Sequence, residues 1–167
     1  MEPRLGIYIH IPFCASKCGY CDFYSLAGCD RLMPKYQDAL VEHIRESYGA
    51  IKSYYIDTVY FGGGTPTALE PEDLKTVLKA VNRYLLLAND CEITIEGRIH
   101  NFGDDKIEAA LEGGANRFSL GVQTFDDRVR QSVMRVDGRD AILSRLDKLM
   151  SYDEAAVVID LIYGFPW

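Results

Sequence analysis

The sequence has no apolar run long enough to cross a bilayer. Its first residues, MEPRLGIYIHIPF, lack the apolar stretch and small-residue cleavage site of an export signal. A basic surplus is missing too: 18 Lys and Arg stand against 25 Asp and Glu, a formal net charge of −7. Such a chain has no electrostatic footprint for nucleic acid or anionic lipid, so neither partner is expected. Repeats, low-complexity tracts and linkers are absent, so the 167 residues are expected to fold as one domain with a real core. Cysteines are few. There are five, an odd number, and three of them crowd between Cys14 and Cys21. Without an export signal, that usage points to a reducing cytoplasm and to thiols that hold metal rather than form disulfides.

The three cysteines are spaced C-x3-C-x2-C within HIPFCASKCGYCDFYS. Thiolates hold iron–sulfur clusters, and a cubane with three cysteine ligands keeps one iron free for a small molecule. The alternative is zinc with Cys29 as fourth ligand, although structural zinc prefers closed sites built from short-spaced pairs.

Around this loop the chain alternates strand and helix patterns. Strands are predicted at Leu5–His10, Thr58–Phe61, Glu92–Glu96, Arg117–Val122 and Ala155–Ile162. Helices are predicted at Met33–Tyr48, Pro71–Leu87, Asp104–Glu112 and Arg139–Met150. The fifth strand, AAVVIDLI, is near-continuously apolar, as a strand buried on both faces should be. Such alternation implies right-handed βαβ units and a parallel sheet, either a barrel or an open doubly wound sheet. In both, chemistry gathers at the C-terminal strand ends, and each unusual motif falls there. The chain ends DLIYGFPW with no helix to cover the fifth strand, so a longer enzyme is expected.

YFGGGTPT follows the second strand. Its glycines would let backbone N–H groups approach a ligand, or would simply make a tight turn. The Gly-Lys-Ser/Thr ending of a phosphate-binding Walker loop is missing. Glu96 ends the third strand, where it could accept hydrogen bonds from an amine or from ribose hydroxyls, or pair with Arg98. Gln123, beyond the fourth strand, can donate and accept at once. Arg135 offers a planar fork for a carboxylate, or is a surface charge. Asp160 interrupts the apolar fifth strand, and a carboxylate buried there needs a partner. His10 is expected to pin the cysteine loop and Cys91 to sit in the core. Cys29 and His100 have no assigned role.

Together, YIHIPFCASKCGYC, YFGGGTPT, NRFSLGVQTF and DLIYGFP resemble the radical S-adenosylmethionine (SAM) enzymes. The subgroup they resemble is that of oxygen-independent coproporphyrinogen oxidase and its relatives. The likeness runs from Tyr8 to Pro166. It implies a partial (β/α) barrel, with residues 1–167 as the N-terminal part of the radical SAM core, truncated after the fifth strand. It implies a [4Fe–4S] cluster on Cys14, Cys18 and Cys21, whose open iron chelates SAM, and one-electron cleavage of SAM to a 5′-deoxyadenosyl radical. Tyr8, Gly63, Gly64, Thr65 and Glu96 match SAM contacts, and Tyr20 matches an aromatic backbone contact. Gln123, Arg135 and Asp160 match residues assigned to a second SAM. A low-potential electron donor such as flavodoxin or ferredoxin is implied as partner, and haem or a related tetrapyrrole as substrate.

Within the subgroup, CGYCDFYS lacks the further cysteine that follows the cluster motif in coproporphyrinogen oxidases. EITIEGRIHNF stands where those enzymes carry an Asp-Pro-Arg segment and the haem chaperones carry Ala-Asn-Pro. Glu-Gly-Arg with Phe102 close behind, then GANRFS, is similar to the anaerobic haem-degrading methyltransferases. CDFYS is closer to the chaperone type. The resemblance thus implies opening of the haem macrocycle with SAM as radical and methyl source. Decarboxylation of coproporphyrinogen III and haem delivery without catalysis are the alternatives.

Overall fold

The computed structural model describes residues 3–165. Met1, Glu2, Trp167 and Pro166, the last residue of the DLIYGFP motif, lie outside the described residues. Five parallel strands form the main sheet: β1 (Arg4–Ile11), β4 (Tyr55–Gly63), β5 (Leu87–Gly97), β6 (Arg117–Gln123) and β7 (Ala156–Leu161). Between β1 and β4, β2 (Phe13–Cys14) and β3 (Leu26–Ala27) form a separate parallel bridge. The helices are α1 (Met33–Ile51), α2 (Pro71–Tyr84), α3 (Asp104–Glu112), α4 (Asp127–Ser132) and α5 (Arg139–Ser151).

The strands of the sheet lie side by side in chain order. Right-handed crossovers that step in one direction place every covering helix on the same face. A doubly wound sheet would reverse its order, and this one does not. The sheet is therefore singly wound, as in part of a (β/α) barrel.

Register sorts the side chains onto two faces. Ile9, Phe61, Ile95, Phe118 and Val157 align across all five strands. They pack with Leu74, Val77, Leu78 and Val81 of α2 and Ile107 of α3 in one core. One residue along, Tyr8, Tyr60, Thr94 and Arg117 align on the opposite face. Above them come Glu96 beside Ser119, then Gly121 beside Asp160. Closed barrels fill this face with branched apolar side chains. Here it is polar and faces a cavity.

Local chemistry explains the element ends. Pro71 opens α2, with Glu72 and Asp73 in the first turn where the helix dipole favours acids. The Asp126 carboxylate caps α4 by accepting from the N–H groups of Arg128 and Val129. Two expectations are corrected. The helix predicted to reach Leu87 ends at Tyr84, because Leu87 already pairs with Ile56 as the start of β5. The fifth strand is not buried on both faces: Ala156, Asp160 and Leu161 are exposed, because β7 pairs only with β6 among the described residues. No helix is long and apolar enough to cross a membrane among the described residues.

Candidate functional site

The cysteine loop is a closed excursion from the end of β1. Leu26 N–H donates to the Pro12 carbonyl at 2.6 Å, and Gly28 N–H to the Cys14 carbonyl at 3.2 Å. These bonds and the β2–β3 bridge shut the base, leaving residues 15–25 as the loop. A turn from Cys21 N–H to the Cys18 carbonyl, 3.1 Å, sets the last two cysteines. Cys14 is buried at the base, while Cys18 and Cys21 are half-buried. His10 pins the loop from the strand side: its Nε2 lies 3.2 Å from the Tyr24 carbonyl. Its own carbonyl accepts from the Tyr36 hydroxyl of α1.

The glycine turn sits against this base. Gly64 N–H donates to the Ile11 carbonyl at 2.8 Å. A Cβ on Gly64 would lie 2.6 Å from the Phe13 carbonyl oxygen and 2.8 Å from the Pro12 carbonyl carbon. Both obstacles are backbone, so neither can swing away. Gly63 has a φ of 111°, and a Cβ there would meet the His10 ring at 2.6 Å. Thr65 is buried, its hydroxyl 3.4 Å from the Cys14 thiol. We expect Gly64→Ala to destabilise the protein by about 1–3 kcal/mol through overpacking. It should also push Cys14 out of place. A lowered thermal midpoint together with reduced iron uptake is the expected result.

Glu96 ends β5 beside that turn, and its Oε2 accepts from Gly63 N–H at 3.3 Å. It does not pair with Arg98. Burial pushes its carboxyl above the ordinary value; the Gly63 bond pulls the other way, and the Asp160 charge adds to the rise. A carboxyl with a raised folded-state pKa binds its proton more tightly when folded. It therefore favours the folded state below the ordinary value of 4.5, and that advantage is lost as pH rises through the raised pKa. We expect Glu96→Gln to unfold at a higher temperature than wild type near neutral pH, the gap closing on acidification toward 4.5. The same variant should bind SAM more weakly. Thermal midpoints across the pH range and equilibrium SAM titration check both.

One cavity of about 630 Å³ gathers nearly all the sequence-predicted residues. Cys14, Cys18, Cys21, Tyr20, Gly63, Gly64, Thr65, Glu96, Gln123, Arg135 and Asp160 all line it. Arg135 reaches back across the chain, its Nε donating to the Tyr20 hydroxyl at 3.2 Å. Gln123 holds a φ of 71°, uncommon for a side chain of its size. Asp160 accepts from the Ser119 hydroxyl at 3.2 Å. It is exposed at the sheet edge rather than buried, because β7 is an edge strand. Tyr8 is the exception: it lies outside the lining, 55% exposed. Register with Tyr60 and Thr94 sets it one row below Glu96 on the same face, its hydroxyl 3.0 Å from His10 Nδ1 and its ring stacked on Tyr60.

Residues left unassigned also find places. The Cys29 thiol faces the Ala27 carbonyl at 3.6 Å, away from the cavity. Cys91 is in the core, where burial pushes its thiol up to about 11 and keeps it unreactive. His100 is exposed and lies 3.3 Å from Asp137. Two contributors escaped the sequence. Arg130 is buried and donates to the carbonyls of Val122, Thr124 and Asp137, bracketing Gln123. Arg98 lines the cavity. Arg130 carries no signal in a helical charge pattern. Arg98 was read only as part of Glu-Gly-Arg and as a pairing partner for Glu96.

Comparison with known proteins follows the same lines. The family model of the Radical SAM superfamily matches residues 8–167. Anaerobilin synthase of Escherichia coli O157:H7 is 42% identical over 162 residues, 96% of this chain and 36% of that protein. Heme chaperone HemW of Buchnera aphidicola is 33% identical, over 98% of this chain and 44% of that protein. The structure of coproporphyrinogen III oxidase (HemN) from Escherichia coli superposes with a TM-score of 0.89 at 29% identity. That match covers 99% of this chain and 38% of that one. The chain thus spans less than half the length of each of these relatives.

Proposed function

The chain belongs to the radical SAM superfamily, and from that premise we propose that it is the cluster-bearing part of an enzyme that opens the haem macrocycle without oxygen. SAM serves as radical and methyl source, and iron is released. Residues 1–167 make the N-terminal part of the radical SAM core. The observation that carries this reading is the cavity. Motifs separated by more than a hundred residues line one space of about 630 Å³. The 42% identity to anaerobilin synthase, against 33% for the chaperone and 32% for an oxygen-independent coproporphyrinogen III oxidase of Bradyrhizobium diazoefficiens, supports haem as substrate.

The residues present suit the cofactors that the family implies. Three thiols on one loop line the cavity. A cluster takes one thiolate on each of several irons, so its ligands stand apart. A single zinc ion would need four donors about one point. Among the described residues no three His, Cys, Asp or Glu side chains converge in that way. Cys14, Cys18 and Cys21 would hold the [4Fe–4S] cluster, and when bound it supplies the electron for reductive cleavage of SAM.

The other roles belong to the chain itself. Gly63 and Gly64 let the turn pack against His10 and the Pro12–Phe13 backbone and would turn its main chain toward a methionyl group, with Thr65 fixing the turn beside Cys14. Glu96 would accept from SAM's amine or ribose hydroxyls, and Tyr8 would steady that side of the strand face through His10. Gln123, Arg135 and Asp160 would hold a second SAM, with Tyr20 orienting Arg135. Phe13 and Thr65 are buried beneath the closed loop base.

The structural likeness to coproporphyrinogen III oxidase favours a second reading, decarboxylation of coproporphyrinogen. One experiment separates the two. The intact protein, reconstituted with iron and sulfide without oxygen, receives SAM, a reductant and either haem or coproporphyrinogen III. A methylated, ring-opened tetrapyrrole by mass spectrometry is the expected product. Unchanged haem beside vinyl products from coproporphyrinogen establishes the second reading. Stable haem binding with neither product means that the protein is a chaperone.

A further inference from the structure

Arg98 carries the one buried side-chain polar atom without a partner among the described residues. Its Nε is shut off from water and donates to nothing. The guanidinium makes no ion pair among the described residues either. Yet the residue lines the cavity, beside Glu96 and Gly97. Native structures rarely leave such a donor without a partner from the protein, an ordered water, an ion or a ligand.

The surrounding chain holds Arg98 in place. Its N–H donates to Thr67 Oγ1 at 3.4 Å. The Thr67 hydroxyl donates on to Asn101 Oδ1 at 2.7 Å, and Lys106 Nζ donates to the Thr67 carbonyl at 2.8 Å. Ile99 and Phe102, just beyond, are buried in the core. The backbone is thus clamped before and after a side chain that has no internal bond. Three other charged side chains of the cavity already have partners: Arg135 has Tyr20, Glu96 has Gly63 and Asp160 has Ser119, while Lys17 and Asp22 line it from the cysteine loop.

A rigid, planar donor fork suits a carboxylate, which it can grip through two parallel hydrogen bonds. We propose that Arg98 binds a carboxylate of the ligand in this cavity. That carboxylate belongs to a propionate of the tetrapyrrole or to the methionyl end of SAM. The inference rests on the function proposed above for the identity of these ligands.

Equilibrium titrations of the intact, reconstituted protein test it. Wild type, Arg98→Ala and Arg98→Lys are each titrated with haem, haem dimethyl ester, SAM and decarboxylated SAM. If the tetrapyrrole is the source, Arg98→Ala weakens haem binding by about 10- to 100-fold and leaves the diester unchanged. If SAM is the source, the same contrast appears between SAM and its decarboxylated form. Lysine, which keeps the charge without the fork, restores part of the loss. Unchanged affinity for both carboxylate ligands in Arg98→Ala overturns the assignment. So does a loss shared equally by the carboxylate-free analogues, which would mark a purely structural role. The two proposals fail separately. Wild-type protein that binds haem but forms no ring-opened product sinks haem opening, while the titrations still decide Arg98.

Discussion

Protein in which Cys18 or Cys21 is replaced by alanine should leave anaerobic reconstitution colourless, without the broad visible absorbance of the wild type. Each irons-and-sulfide cubane has only three protein thiolates available in this loop, so losing one strips a second iron of its ligand. Even partners outside the metal's own ligand set are worth about 10- to 100-fold in metal affinity or activity. Loss of a ligand should exceed that, leaving activity below about one per cent of wild type. The fold should not suffer. Cys18 and Cys21 are half-buried on a loop and pack in no core. Their variants should therefore unfold, free of cluster, within about 0.5 kcal/mol of wild type. Cys14 is buried at the loop base beside Thr65, so Cys14→Ala should add a modest loss of stability to the loss of iron. Iron analysis, absorbance and thermal unfolding separate these effects. One zinc per chain in a colourless wild type would overturn the cluster assignment.

Arg130→Met should be the most destabilising single change in the second half of the chain. The side chain is 2% exposed, and its charge is held by three backbone carbonyls rather than by a carboxylate. Methionine fills similar space but leaves those acceptors without a donor. Each stranded acceptor costs about 1–3 kcal/mol. For a domain of this size, each kcal/mol lowers the thermal midpoint by about 2–4 °C. The effect should reach the cavity as well. Val122 and Thr124 flank Gln123, whose φ of 71° depends on those anchored neighbours. Asp137 lies two residues beyond Arg135. Binding of the second SAM proposed for Gln123 and Arg135 should weaken even at temperatures where the variant stays folded. A variant as stable as wild type would show that water replaces the guanidinium.

The sequence reveals those parts of the fold that local chemistry dictates. α3 runs over the residues its pattern predicts, because two aspartates open it and two glycines end it. β5 starts earlier than predicted: Ala88, Asn89 and Asp90 hide the alternation, and only pairing with β4 extends the strand. The β2–β3 bridge, two residues on each side, is too short to have a periodicity. α4 lies inside a stretch that attracts attention for its polar chemistry, and six residues give little helical signal. Single winding is invisible in any one segment, because it is a property of strand order. Most cavity residues were legible because they lie in motifs at strand ends, while Asp160 stood out as a carboxylate inside an apolar strand and Arg135 as a guanidinium beyond the fourth strand. Tyr8 falls a row away because strand pairing aligns it with Tyr60 and Thr94 rather than with Glu96, and that register is not local. Exposure at Asp160 and burial at Arg130 depend on which neighbours exist, and composition does not say.

The shut base of the cysteine loop bears on how readily a cluster could enter. Joining the ends of a flexible loop costs entropy that grows with its length. Here hydrogen bonds at Pro12, Cys14, Leu26 and Gly28 join the ends through backbone groups alone. Ligation has only the interior of the loop left to order. Cys14, fixed at the base, is poised to engage first. Cys18 and Cys21, joined by one turn, would follow as a pair. Assembly in that sequence would make uptake depend less on the length of residues 15–25 than on the integrity of the hydrogen bonds beneath them.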